Sequence, residues 1–167
     1  MSYVDTDGRM KPRTANTFII ESIEDAAKRS QKKLLDIEKI KRSQLNPQAT
    51  ALAEMFQLFI GNTDYSTITG QPGSTCCHNV RLIADKTNPP ETSTGVIPIP
   101  YDFDASGFID APYSVPAAQY PIKDVRRRYL SGTCKEERHF MSAIARFNDR
   151  KTALYDIVNS AEYLNAF

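Results

Sequence analysis

Asn46-Pro-Gln-Ala-Thr-Ala-Leu-Ala-Glu-Met-Phe-Gln-Leu-Phe-Ile-Gly-Asn-Thr-Asp64 is the stretch on which the reading of the whole chain turns. It opens with Asn46, a side chain that accepts from free helix amides, and Pro47, which needs no donor at a first helical position. Leu52, Met55, Phe56, Phe59 and Ile60 then recur at three- and four-residue spacing, which predicts a helix with one buried face. Gly61 suits the left-handed residue that closes such a helix. A polar loop at 62–77 follows, containing two Gly and one Pro. The helix therefore belongs to the core and delivers Asn62-Thr-Asp64 to a loop just beyond its end.

Downstream, Asn79-Val-Arg-Leu-Ile83 alternates, with Val80 and Leu82 on one side. Val96-Ile-Pro-Ile-Pro-Tyr101 is apolar, but Pro98 and Pro100 cannot donate to a ladder, so it reads as an edge or sparsely paired strand. Residues 84–95 connect the two as a hairpin. Asp102-Phe-Asp-Ala-Ser-Gly107 follows, then a Pro-rich irregular stretch to about residue 121. Helices are expected over 124–130, 136–147 and 150–159. Upstream, 1–16 is polar and turn-rich, Thr17-Phe-Ile-Ile-Glu21 reads as a strand, and a helix runs from Ser22 to about Lys33. Residues 34–45 have no clear period. The fold class is α+β in a single domain spanning 1–167, helix-heavy toward the C-terminus.

A chain of 167 residues with 41% hydrophobic residues can bury a core unaided. With 21 basic and 20 acidic residues there is no bulk charge of the kind that selects nucleic acid or an anionic membrane surface. No run approaches the length of a membrane span, and residues 1–13 lack the apolar core of an export signal. The three cysteines are Cys76, Cys77 and Cys134. They lack the spacing of a zinc site. They are either reduced thiols or one long-range bridge from Cys76 or Cys77 to Cys134, the latter suited to an oxidising compartment.

Asp64, Asn79 and Asp102, with Asp104 beside it, form a constellation of oxygen donors around a hairpin. Hard divalent cations take oxygen ligands. Three readings are open. The Asp102–Gly107 segment can be a turn whose carboxylates cap free amides. It can be a calcium loop, with Asp102, Asp104, Ser106, Gly107 and Asp110 at matching positions but Tyr113 where a bidentate Glu belongs. The third reading uses the order of elements. Helix, loop with an Asp, Asn opening a strand, second strand and then Asp is the order of a protein-kinase catalytic core. There, one carboxylate serves the attacking hydroxyl, and the Asn with the second carboxylate holds the ions that bridge the phosphates. Asp64 and Asn79 are fifteen apart, against about five in ordinary kinases, so the loop would carry an insertion of about ten residues.

Ile60-Gly-Asn-Thr-Asp-Tyr-Ser66, Cys77-His-Asn-Val-Arg81 and Pro100-Tyr-Asp-Phe-Asp-Ala-Ser-Gly107 resemble segments of bacterial proteins distantly related to the spore-coat protein H kinases. These are atypical kinases with a protein-kinase-like fold that generally act outside the cytosol. The resemblance covers roughly residues 15–150. It implies Asp64 as the catalytic-loop aspartate, Asn79 and Asp102 as ligands of Mg²⁺ and through it of ATP, and Asp104 as an accessory metal ligand. His78 would brace the loop or serve as a structural hydrogen-bonder. Ca²⁺ is the alternative cation, in a non-catalytic pseudokinase-like scaffold. Residues 1–22 would be a remnant of the N-terminal lobe and 23–167 the C-terminal lobe. There is no Gly-rich loop, since Gly8 stands alone, and Lys11 has no strand around it. The expectation is a truncated catalytic lobe, weak or inactive alone, with a protein or small-molecule acceptor and a possible partner supplying the missing lobe.

Overall fold

The computed structural model describes residues 2–3, 6–14, 19–87, 89–132 and 136–160, with side-chain detail beginning at residue 6 and omitted at 13–14. It is a mixed α+β structure in which one long helix packs beside a small antiparallel sheet. The long helix, α2 in chain order, spans Pro47–Ile60. Its start follows from the sequence: the Asn46 side chain accepts from Ala49 N at 2.9 Å, and Pro47 sits at the first helical position. Its end does too, because Gly61 adopts φ 70° and its N–H donates to the last-turn carbonyls. A Cβ there would lie 2.8 Å from Val125 O, so glycine answers both the backbone angle and the close approach.

Strands β1 (Ser2–Tyr3) and β2 (Arg13–Thr14) form a short antiparallel ladder. Helix α1 (Ile23–Arg29) is capped by Ser22, whose hydroxyl accepts from Asp25 N. It stops short of the expected Lys33 because Gln31 turns at φ 56°, and Lys32–Leu34 becomes strand β3. The expected strand at 17–21 is not found in its described part. Ile19 and Ile20 belong to no strand and are exposed, and Thr17 and Phe18 lie outside the described residues.

β4 (Val80–Asp85) lies between β3 and β5 (Ile97–Pro100) in an antiparallel sheet. Val80, Leu82 and Ala84 face a core cluster that includes Leu35, Tyr65 and Val96, and Ile83 is buried on the other face. The register pairs Val80 with Pro100 and Leu82 with Pro98. Tyr101 N donates to Asn79 O, so the odd-numbered residues carry the ladder and both prolines face away from β4. The edge position expected of a proline strand is the position found.

Helices α3 (Glu137–Asp149) and α4 (Lys151–Ser160) follow. α3 packs on α2 through Phe59 and Phe147, whose rings are 5.6 Å apart. The helix expected at 124–130 is absent. The Asp124 side chain accepts from Arg126 N at 3.1 Å and its carbonyl from Arg127 N, a turn that replaces the helical pattern. Arg126–Arg128 is accordingly no helix face: Arg128 reaches across to Phe59 O. In the 113–120 stretch Ala117 N donates to Thr63 Oγ1 and Tyr120 meets Tyr129 with ring centroids 4.8 Å apart, while Tyr113 and Val115 are exposed. The Cys76 and Cys77 sulfurs lie next to each other in the buried cluster, and Cys134, the other end of the expected long-range bridge, lies outside the described residues. No helix among the described residues is long and apolar enough to cross a membrane.

Candidate functional site

The site is assembled where α2 ends and the β4–β5 hairpin begins. Gly61 ends the helix, and the buried Asn62 starts the loop with its side chain turned inward. Asn62 Oδ1 accepts from Asp64 N at 2.8 Å, an Asx turn that fixes the direction in which Asp64 leaves the backbone. Asn62 Nδ2 points the other way and donates to Asp102 O at 3.4 Å. One buried amide thus ties the loop after α2 to the segment after β5.

Asp64 itself is held by the turn that leads into β4. His78 Nε2 lies 2.7 Å from Asp64 Oδ1. Asn79 Nδ2 donates to Asp64 O at 2.8 Å and to Asp64 Oδ2 at 3.0 Å. His78 is anchored through its backbone, donating to Thr69 O and accepting from Ser66 N. Asn79 reaches Asp64 because its backbone adopts φ 55°, a left-handed conformation that Asn tolerates better than most residues. The Asp64 side chain remains 40% exposed and that of His78 35%. A carboxylate so oriented, yet reachable from solvent, can accept a proton from an incoming hydroxyl. His78 supplies a hydrogen bond that fixes the carboxylate plane.

Asn79 spends its N–H groups on Asp64, and no described residue donates to its oxygen, Oδ1. Asp102 uses one oxygen as acceptor for Asp104 N at 3.3 Å. Phe103 turns back onto α2, meeting Phe56 edge-on at 5.5 Å between ring centroids. Asp104 turns toward the Pro-rich stretch, where its Oδ2 accepts from the Tyr113 hydroxyl at 3.0 Å and its carbonyl from Ser114. That carboxylate pushes the Tyr113 hydroxyl above its ordinary range. Asp110, the last acidic residue of the calcium-type spacing, faces Arg126 at 3.9 Å.

The structure therefore joins Asp64, His78 and Asn79 directly, links Asp102 to them through Asn62, and leaves Asp104 engaged with Tyr113. Among the described residues, no three side chains of His, Cys, Asp or Glu converge on a metal position. Mg²⁺ asks for less: it keeps several waters and is held by one or two protein oxygens together with phosphates. The uncommitted oxygens of Asn79 and Asp102 have the hard-donor chemistry that ion takes. Sequence reasoning assigned no role to Asn62, although Asn side chains often bond the backbone N–H two residues on, as this one does.

No protein-family model, curated protein or solved structure matches the chain.

Proposed function

We propose that this chain is the catalytic-lobe portion of an Mg²⁺-dependent, kinase-like phosphotransferase. Asp64 is the carboxylate that serves the acceptor, and Asn79 and Asp102 hold the ion. The observation that carries the reading is the grip of Asn79 on Asp64. One amide group donates to both the carbonyl and the carboxylate of Asp64, which leaves its oxygen uncommitted to any described residue. Loop and hairpin are thereby positioned by a single side chain, as phosphoryl transfer requires of its base and its metal ligands.

When bound, Mg²⁺ would neutralise charge on the phosphates of the nucleotide. The chain's own residues do the rest. Asp64 orients the acceptor hydroxyl and takes its proton at the carboxylate. His78 keeps that carboxylate from rotating. Asn62 holds the backbone of Asp102 against the loop that carries Asp64. Phe103, packed on Phe56, fixes the turn from which Asp102 projects. The described residues include no glycine-rich cover for phosphates. Nucleotide affinity of the chain alone is therefore expected to be weak and to rise when a further segment or partner closes the site. The calcium reading has less support, because Asp104 and Asp110 point to different neighbours.

Thermal unfolding with nucleotide tests the proposal. A ligand at ten times its Kd stabilises by about 1.4 kcal/mol, or roughly 3–5 °C for a chain of this size. Mg²⁺-ATP at millimolar concentration should raise Tm for the native chain but not for Asp102→Asn or Asn79→Leu. ATP with chelator should do nothing. A rise with Ca²⁺ alone and none with Mg²⁺-ATP would replace the kinase reading by the scaffold.

A further inference from the structure

An apolar groove of about 740 Å³ opens on the side of the molecule formed by α2, α3 and α4. Its floor is Met55, Leu58 and Phe59 from α2 with Ile144 and Phe147 from α3, and Leu154, Tyr155 and Val158 of α4 form one wall. Among the described residues α4 is poorly covered: Tyr155 is 60% exposed and Ile157 67%. The ten described residues of α4 are marginal as a helix in water unless an apolar face is packed along their length. They extend about 15 Å, so whatever completes their packing must be at least comparably long.

Charge decides the kind of partner. The two ionic residues lining the groove are both cations, Arg128 and Lys151. The Arg128 guanidinium donates to two backbone carbonyls, Phe59 O at 2.9 Å and Arg126 O at 2.8 Å. Among the described residues, neither cation pairs with a carboxylate. A second copy presenting the same face would bring like charges together over the apolar floor, which is unfavourable.

We propose that this groove docks an amphipathic helix of a partner protein, its apolar stripe on the α2–α3 floor and acidic residues beside Arg128 and Lys151. Such a helix reads out as apolar anchors at i, i+3, i+4 and i+7. The site is remote in kind from the Asp64 cluster and does not depend on the kinase reading.

The test is selection of displayed helical peptides of about four turns, with leucines at that anchor spacing and flanking positions randomised among Glu, Lys and Ser. On the native chain, Glu should be enriched at flanking positions. Affinity of the best Glu peptide should fall at least about threefold in high salt, as exposed pairs are screened. Lys151→Glu, an exchange favourable at a helix start, should reverse the enrichment toward Lys. Tyr155→Ser and Val158→Ser alter exposed wall positions and should each weaken binding by about tenfold. Equal recovery of Glu and Lys peptides, or no enrichment of the anchor stripe, overturns the proposal. So does preference for phosphatidylserine vesicles, or a dimer that Tyr155→Ser dissociates.

Discussion

Replacing Gly107 by alanine probes the joint on which the site depends. A Cβ at Gly107 would lie 2.1 Å from Val125 O and 2.7 Å from Val125 C. Ordinary contact begins at 3.4 Å, so one side must retreat by about 1.3 Å, the difference of the two distances. Neither side is free to do so. Gly107 N donates to Gly61 O at 3.1 Å and Phe108 N to Ile60 O at 2.9 Å, which clamps the 102–108 segment to the end of α2. Val125 is buried on the other side. Retreat of Gly107 costs two hydrogen bonds at about 1 kcal/mol each. Expulsion of Val125 costs about 1.5–3 kcal/mol of lost burial. Either route gives a loss of about 2–3 kcal/mol, which for a chain of this length lowers Tm by roughly 5–10 °C. Gly73→Ala is the control: its φ is 76° but nothing lies within 4 Å of its Cβ, leaving a backbone cost of about 1 kcal/mol. Circular dichroism at matched concentration, by heat and by urea, measures both. The reasoning fails if Gly107→Ala is no more destabilised than Gly73→Ala.

Three further outcomes follow from the same geometry. Asn79→Ala should cost about 1 kcal/mol more than Asn79→Gly, because both lose the bonds to Asp64 but only alanine is strained at φ 55°; equal urea midpoints would contradict this. Gln57 is fully buried with neither amide atom bonded to a described residue. Gln57→Met, of similar volume, should therefore unfold at the same or a higher urea concentration, by up to about 1–2 kcal/mol, and a clear loss would show the amide to be bonded. Tyr65 has its ionisation pushed up by burial and then by the Glu54 charge. Its folded pKa exceeds the unfolded value of about 10, so its contribution is intact below that pH and lost as pH rises above it. Phenolate absorbance should show one tyrosine ionising only with alkaline unfolding, a component that Tyr65→Phe removes.

The elements that could be read from residues are those whose signals are local. α2 was legible because Asn46, Pro47, the apolar spacing and Gly61 all agree, and each does in the structure what its chemistry suggests. β5 was legible because Pro98 and Pro100 permit few positions in a sheet. The short α1 was misread at its end, since the left-handed turn falls on Gln31, a residue that does not advertise it. The 124–130 segment was misread because Asp124 turns the chain locally and Val125 is then captured beside Gly61 and Gly107, contacts distant in sequence. In the site, the residue types gave Asp64 and Asn79. The 2.7 Å contact of His78 and the bridging role of Asn62 depend on how loop and hairpin meet, which no spacing encodes.

The central claim is that the oxygen of Asn79, on the edge of the Asp64 cluster, takes a nucleotide-bound cation. Nuclear magnetic resonance of the ¹⁵N-labelled chain reads it directly through the Asn79 side-chain amide. Titration with Mg²⁺-ATP is predicted to shift that resonance together with the Asp102 and Phe103 backbone amides. ATP in chelator, or Mg²⁺-ATP with Asp102→Asn, should leave it in place. An Asn79 amide that is unmoved at saturating Mg²⁺-ATP, while other residues respond, would contradict the account.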